Sequence, residues 1–186
     1  MAFDAPSETS PVATLFGAAD VAAILRERGW VDASRDIAAG SPVEKWCARA
    51  ADLLAPHAAE RAALAGLLGL VFAYDAKSLV SATANQGVLA REGAREVIRE
   101  FANRLLDGGD LDSDRLKEII DALKAALPYR GRELFFPIRL ALAGRVGDGE
   151  LDRVILLLDS AAALTEFSIP VKGARQRMIE FCAAFD

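Results

Sequence analysis

Aromatic side chains are scarce in this chain, 7% of residues, and β-branched residues are few beside alanine and leucine. Both shortages argue against a sheet protein, because strands use such side chains to cover a pleated surface. There is one histidine, His57. No nucleophile sits in a recognisable motif with it, and with Cys47 ten residues away it is too isolated to hold zinc without two further ligands. The two cysteines, Cys47 and Cys182, lie far apart in helical patterns and read as small core residues. Without a disulfide framework, a cytoplasmic chain is the natural expectation. No apolar run approaches the ~18–20 residues of a membrane span. Neither a Walker loop nor a G-x-G-x-x-G turn is present, which removes the common nucleotide sites. The carboxylate pairs Asp110/Asp112 and Asp112/Asp114 read as loop and cap residues, too few in register for a calcium loop. These absences predict a protein that is not an enzyme and carries no cofactor or metal.

What is present points to helices. Slightly more than half of the 186 residues are apolar, enough for one compact domain or two small helical lobes sharing an interface. Alanine and leucine dominate that fraction, and both favour helix. The formal net charge of −5 gives no general attraction to nucleic acid or to an anionic membrane, so the distribution of charge matters more than its sum.

Residues 1–12 are polar and acidic, with two prolines, and lack the basic and apolar regions of a signal peptide. They are expected to be a disordered leader. Ser41-Pro42-Val43-Glu44 carries a capping-box start for a helix bearing Trp46, Ala50, Leu53 and Leu54. The next helix is expected from near His57 through Leu64, Leu68 and Val71. Asn85-Gln86-Gly87 reads as a turn, and Val88 to Leu106 as one long amphipathic helix. Asp107-Gly108-Gly109-Asp110 is the clearest break. It divides a first helical lobe, residues 13–107, from a second, residues 108–186. Beyond it, Leu116, Ile119, Ile120, Leu123 and Leu127 form a clean apolar stripe capped by Asp112 or Ser113. A further helix has Pro137 near its start and Gly144 near its stop. A last amphipathic helix carries Met178, Ile179, Phe181 and Phe185.

One segment departs from the acidic background. Asp114 to Arg145 holds seven basic residues against four acidic ones. Lys124, Tyr129, Arg130, Arg132, Arg139 and Arg145 are the candidate RNA-binding residues, since guanidinium forks suit phosphates and aromatic faces stack on unpaired bases. The same residues have structural readings. Phe135 and Phe136 lie in an apolar passage and read more readily as core, and Arg139 is placed to pair with a carboxylate or with helix-end carbonyls.

The run Gly131-Arg132-Glu133-Leu134-Phe135-Phe136-Pro137-Ile138-Arg139-Leu140-Ala141-Leu142-Ala143-Gly144 resembles the G-x-x-L-F-x-P-[LI]-R-x-A-L-T-G stretch in the C-terminal anticodon-binding region of bacterial glutamyl-tRNA synthetases. Leu116 to Leu127 and Gly149 to Leu158 resemble the helices on either side of it, and Trp46 to Leu106 resembles the first lobe more faintly. The resemblance implies an all-α, two-lobe helical bundle shaped as a cage for the anticodon loop. It implies a tRNA anticodon stem-loop as partner. The catalytic motifs of such an enzyme have no counterpart here, so it also implies a stand-alone, non-catalytic module that binds no ATP. Three departures stand out: Ala143 replaces the usual Thr, Asp159-Ser160-Ala161 replaces a Gly-Lys/Arg-Glu turn, and Val171 to Phe185 has no clear counterpart. A fold can be kept while its binding is lost. The alternative is therefore a helical protein-protein interaction module, whose amphipathic last helix docks in a partner's groove. No feature of the sequence fixes an oligomeric state.

Overall fold

The computed structural model describes residues 16–34 and 37–185, so the expected leader lies outside the described residues. Eleven α-helices and one 3₁₀ turn occur among them, and no strand. They are α1 (Ala18–Glu27), α2 (Pro42–Leu54), the 3₁₀ turn (Ala55–His57), α3 (Arg61–Phe72), α4 (Ala76–Ser81), α5 (Thr83–Leu89), α6 (Ala94–Leu106), α7 (Ser113–Ala126), α8 (Arg132–Ala143), α9 (Glu150–Ile155), α10 (Leu158–Ala162) and α11 (Ala174–Phe185). The protein is all-α, and no helix among the described residues is long and apolar enough to cross a membrane.

Local chemistry sets most boundaries. Ser41 Oγ accepts from the Glu44 N–H at 3.2 Å, and Asp112 Oδ1 from the Arg115 N–H at 2.8 Å, so α2 and α7 start on side-chain caps. Gly144 closes α8 in the left-handed conformation at φ 76°.

Four expectations are corrected. His57 belongs to a 3₁₀ turn, and α3 begins four residues later. Asn85-Gln86-Gly87 lies inside α5, because the Asn85 and Gln86 amides donate to the Leu79 and Val80 carbonyls at the end of α4 (2.9 and 2.7 Å). Those acceptors satisfy both side chains without a turn. The long helix from Val88 is split between Leu89, where α5 ends, and Ala94, where α6 starts. Pro137 sits in the middle of α8; its missing N–H leaves the Glu133 carbonyl without its usual donor four residues on.

Helices on both sides of the Asp107–Asp110 break contribute to one contiguous set of buried apolar residues, from Val21 to Phe181. α6 packs on α7 and α8, α9 on α2, α3 and α8, and α11 on α4, α6 and α8. At one end Trp30 stacks on Phe72 with centroids 4.5 Å apart, while Trp46 and Phe167 meet Phe72 edge-on. The Trp46 indole N–H donates to the Leu157 carbonyl at 3.4 Å.

Cys47 is buried, and burial pushes its thiol up to about 12, with Glu44 adding to the rise and Arg26 opposing it. Iodoacetamide near pH 8 is therefore expected to label Cys47 on the order of a hundredfold more slowly in the folded protein than in denaturant. Comparable rates, read by peptide mass spectrometry, would contradict the packing of α2. The unfolded thiol ionises first, so this group's contribution to stability falls as pH rises from about 9 toward 12.

Candidate nucleic-acid interface

The basic segment spans α7, a tight elbow and α8. The elbow is held from within. Arg130 donates from Nη1 to the Leu127 and Tyr129 carbonyls (both 2.6 Å) and from Nη2 to the Lys124 carbonyl (2.5 Å), capping the unpaired end of α7. Tyr129 O–H donates to Glu96 Oε2 at 3.0 Å, and this bond to a carboxylate holds the phenol above its ordinary pKa. The ring lies so close to the start of α6 that a Cβ on Gly93 would fall 2.4 Å from it. Any larger residue there would have to push the ring aside.

Two hollows flank the elbow. One, of about 360 Å³, brings Tyr129 and Arg132 together with Arg91, beside Glu92 and Glu133. Its charge is mixed. Arg132 is exposed, with its guanidinium carbon 5.7 Å from the Phe136 ring centroid.

The other, about 410 Å³, is a groove between α7, α8 and α9. Its floor is apolar: Leu116, Ile120, Phe135, Ile138 and Leu156. Lys117, Lys124, Arg153 and His57 stand around it. Its two acids are already engaged. Asp121 pairs with Lys124 at 3.1 Å. Asp152 takes a bidentate pair from Arg139, Nε to Oδ1 at 2.8 Å and Nη2 to Oδ2 at 2.7 Å. Arg139 Nη1 also donates to the Gly147 carbonyl at 2.9 Å, and the guanidinium lies 4.9 Å from the Phe135 centroid. Arg139 is buried beneath the groove and fastens α8 to α9 and the loop between them. The outcome is a groove where Lys117 and Arg153 are exposed and form no ion pair with a described residue, and where Lys117, Lys124 and Arg153 outnumber the two acids in an acidic molecule.

The six candidate residues thus do not converge on one point. Lys124 faces the groove, and Tyr129 and Arg132 face the other hollow. Arg130 caps α7, and Arg139 props the groove wall. Arg145 lies past the far end of α8, 3.6 Å from Glu150, roughly 20 Å along the helix from Arg132. Lys117, Arg153 and His57 are not among the RNA-binding candidates read from the sequence. Lys117 and Lys124 are seven residues apart on α7 and so share a face, a signal the sequence does carry. Arg153 and His57 arrive only through packing of α9 and the 3₁₀ turn.

Comparison with known proteins specifies which family this all-helical bundle with its apolar-floored groove belongs to. The anticodon binding domain model matches residues 21–165, and the chain belongs to that family. Glutamate–tRNA ligase of Bacillus licheniformis is 35% identical over 77 residues, covering 41% of this chain and 16% of that protein. The ligase of Carboxydothermus hydrogenoformans is 31% identical over 104 residues, 56% of this chain and 20% of its own length. That of Bacillus subtilis is 32% identical over 79 residues, 42% and 16%. The chain therefore spans a fifth or less of these relatives. No solved structure matches it significantly.

Proposed function

We propose that this chain is a non-catalytic module that binds tRNA at the anticodon stem-loop, with the α7–α8–α9 groove as its principal contact. Membership of the anticodon-binding family over residues 21–165 carries the reading. The groove supports it chemically. Lys117, Lys124 and Arg153 stand around it to meet phosphates, while the apolar floor offers a dry surface to an unpaired base. Arg132 and Tyr129 in the neighbouring hollow, and Arg145 beyond α8, extend the contact. Arg130 and Arg139 act through the elbow and the wall they hold. The family model that matches is an anticodon binding domain, so ATP chemistry forms no part of the reading, and a cytoplasmic setting goes with it.

The test is a fluorescence titration of labelled tRNA-Glu anticodon stem-loop and a scrambled hairpin across several salt concentrations. Micromolar or tighter binding that prefers the stem-loop is expected. In the Lys117→Ala/Arg153→Ala double variant the salt slope should flatten by ~0.7–0.9 for each phosphate that no longer meets a cation. An unchanged slope would move the RNA off this groove. Absence of binding at low salt would remove the RNA reading altogether.

A further inference from the structure

The face of α11 that carries Met178 and Phe181 is buried in this molecule's own core and is not offered to a partner. The groove between α7, α8 and α9 is open, and His57 lines it from a fourth element, the 3₁₀ turn that follows α2. The backbone of that turn is held on both sides of the histidine. Ala55 and Ala58 are buried, the Ala58 N–H donates to the Ala55 carbonyl at 3.1 Å, and Pro56 between them fixes its own φ. Arg49 of α2 donates from Nη2 to the Leu156 carbonyl at 3.2 Å, which ties α2 to the chain leaving α9, where Leu156 is part of the groove floor. An exposed imidazole is thereby presented at a fixed place beside the groove.

The charges that share the groove with it come from two helices. From α7 come Lys117, Asp121 and Lys124, and from α9 come Asp152 and Arg153, while α8 gives only Phe135 and Ile138. Asp121 is paired with Lys124 and Asp152 with Arg139. The charged residues nearest His57 in the chain, Arg49 and Asp52 on α2 and Glu60 and Arg61 at the start of α3, do not line the groove. Histidine is the side chain whose charge changes between about pH 5 and 8, and this chain has one. At the acid end of that range the groove gains a further cation beside Lys117, Lys124 and Arg153. At the alkaline end the ring is a neutral hydrogen-bonding group. A phosphate beside the ring favours its protonated form, and the linkage runs both ways. RNA binds more tightly as pH falls, and bound RNA draws a proton onto the ring.

We propose that His57 is a further phosphate contact of the groove and that its protonation makes stem-loop binding pH-dependent. The inference rests on the RNA reading of the groove and adds to it a residue and a means of control.

The test repeats the stem-loop titration of the whole chain at about pH 5.5 and about pH 7.5, the two sides of the histidine range, over the same salt series. At the lower pH the affinity should be roughly three- to fivefold higher and the salt slope steeper by ~0.7–0.9. His57→Gln keeps a hydrogen-bonding side chain without a charge that titrates. It should bind alike at both pH values, at the level of the wild type at the higher one. His57→Lys should bind at both as the wild type does at the lower one. Thermal melts of the two variants should match the wild type, since the side chain is exposed. Calorimetry in two buffers of different ionisation enthalpy supplies a second readout that a merely structural role would not move. Near the middle of the range, binding should take up a fraction of a proton in the wild type and none in His57→Gln. Equal wild-type binding at both pH values, or pH dependence that persists in His57→Gln, would overturn the proposal. If that binding still weakens in Lys117→Ala/Arg153→Ala, the groove keeps its RNA and only His57 is removed from the contact. No stem-loop binding at either pH would remove the RNA reading and this inference together.

Discussion

Arg177→Met is expected to destabilise the protein by about 4 kcal/mol and to lower its melting temperature by on the order of 10 °C. Arg177 is fully buried and pairs with no carboxylate among the described residues. Its guanidinium donates instead to four backbone carbonyls: Lys172 (2.9 Å), Leu70 (2.9 Å), Val71 (2.5 Å) and Leu142 (2.8 Å). Leu70 and Val71 are in the last turn of α3, and Leu142 is in the last turn of α8, so three of the acceptors are carbonyls with no partner inside their own helices. The negative ends of two helix dipoles therefore face one buried cation. Tyr74 completes the arrangement. Its ring lies 4.5 Å from the guanidinium, its hydroxyl donates to the Ala141 carbonyl at 2.6 Å, and burial raises its pKa above the ordinary value. Burial also lowers the Arg177 pKa to about 10, which leaves it charged at neutral pH.

The size of the effect follows from what can and cannot be replaced. A buried ion pair exchanged for apolar groups on both sides can be neutral or even stabilising. Here only one side is a side chain. Methionine fills much of the volume and removes the cation's desolvation cost, but the carbonyls remain, each losing a charge-assisted bond with no water to take its place. Arg177→Lys should recover part of the loss, because an ammonium reaches fewer of the four acceptors than a planar fork. Chemical denaturation of the full chain measures both. A loss below about 1 kcal/mol for Arg177→Met would mean that the helix ends are solvated when the guanidinium is absent.

Arg177 also marks how far the sequence can be read. Helix type, the cap at Ser41, the cap at Asp112 and the stop at Gly144 are legible because each rests on interactions within a few residues. The family resemblance is legible because Gly131 to Gly144 packs tightly: Leu134, Ile138, Leu140, Ala141, Leu142 and Ala143 are all buried. Two departures from the family pattern turn out to be one feature. Asp159, standing where the pattern has another residue, accepts from the Ala174 N–H through Oδ1 and from the Leu111 N–H through Oδ2, both at 2.7 Å. It anchors the extra helix α11 and the entry to α7 together. That pairing joins residues far apart in the chain, and no local pattern announces it. The groove is hidden for the same reason. Arg153 looks like one charge on a short helix until α9 packs against α8. Net charge misleads in the same way, since the acids nearest the groove are neutralised by Lys124 and Arg139.

Arg139→Ala separates holding from touching. The residue stands at the arginine of the motif and reads from sequence as a candidate for RNA contact, yet its guanidinium is committed to Asp152 through two parallel bonds and to the Gly147 carbonyl through a third. Only about a tenth of its side chain is exposed, while that of Asp152 is 32% exposed. Removing the arginine leaves a half-buried carboxylate without its partner and frees the loop between α8 and α9. A loss of ~3 kcal/mol is expected, at the lower edge of the range for broken buried pairs because solvent can still reach Asp152. A double-mutant cycle with Asp152→Asn should return a coupling of ~1–2 kcal/mol. Arg153→Ala, one residue along α9 and exposed, should leave the melting temperature within a degree or so and reduce only stem-loop affinity and its salt slope. For Arg139→Ala the affinity should fall too, but measured well below its melting transition it should keep the wild-type salt slope, because every cation that meets a phosphate is still in place. If Arg139→Ala melts like the wild type and instead flattens the slope, the guanidinium leaves Asp152 to meet a phosphate, and the arginine of the motif touches RNA rather than bracing the wall.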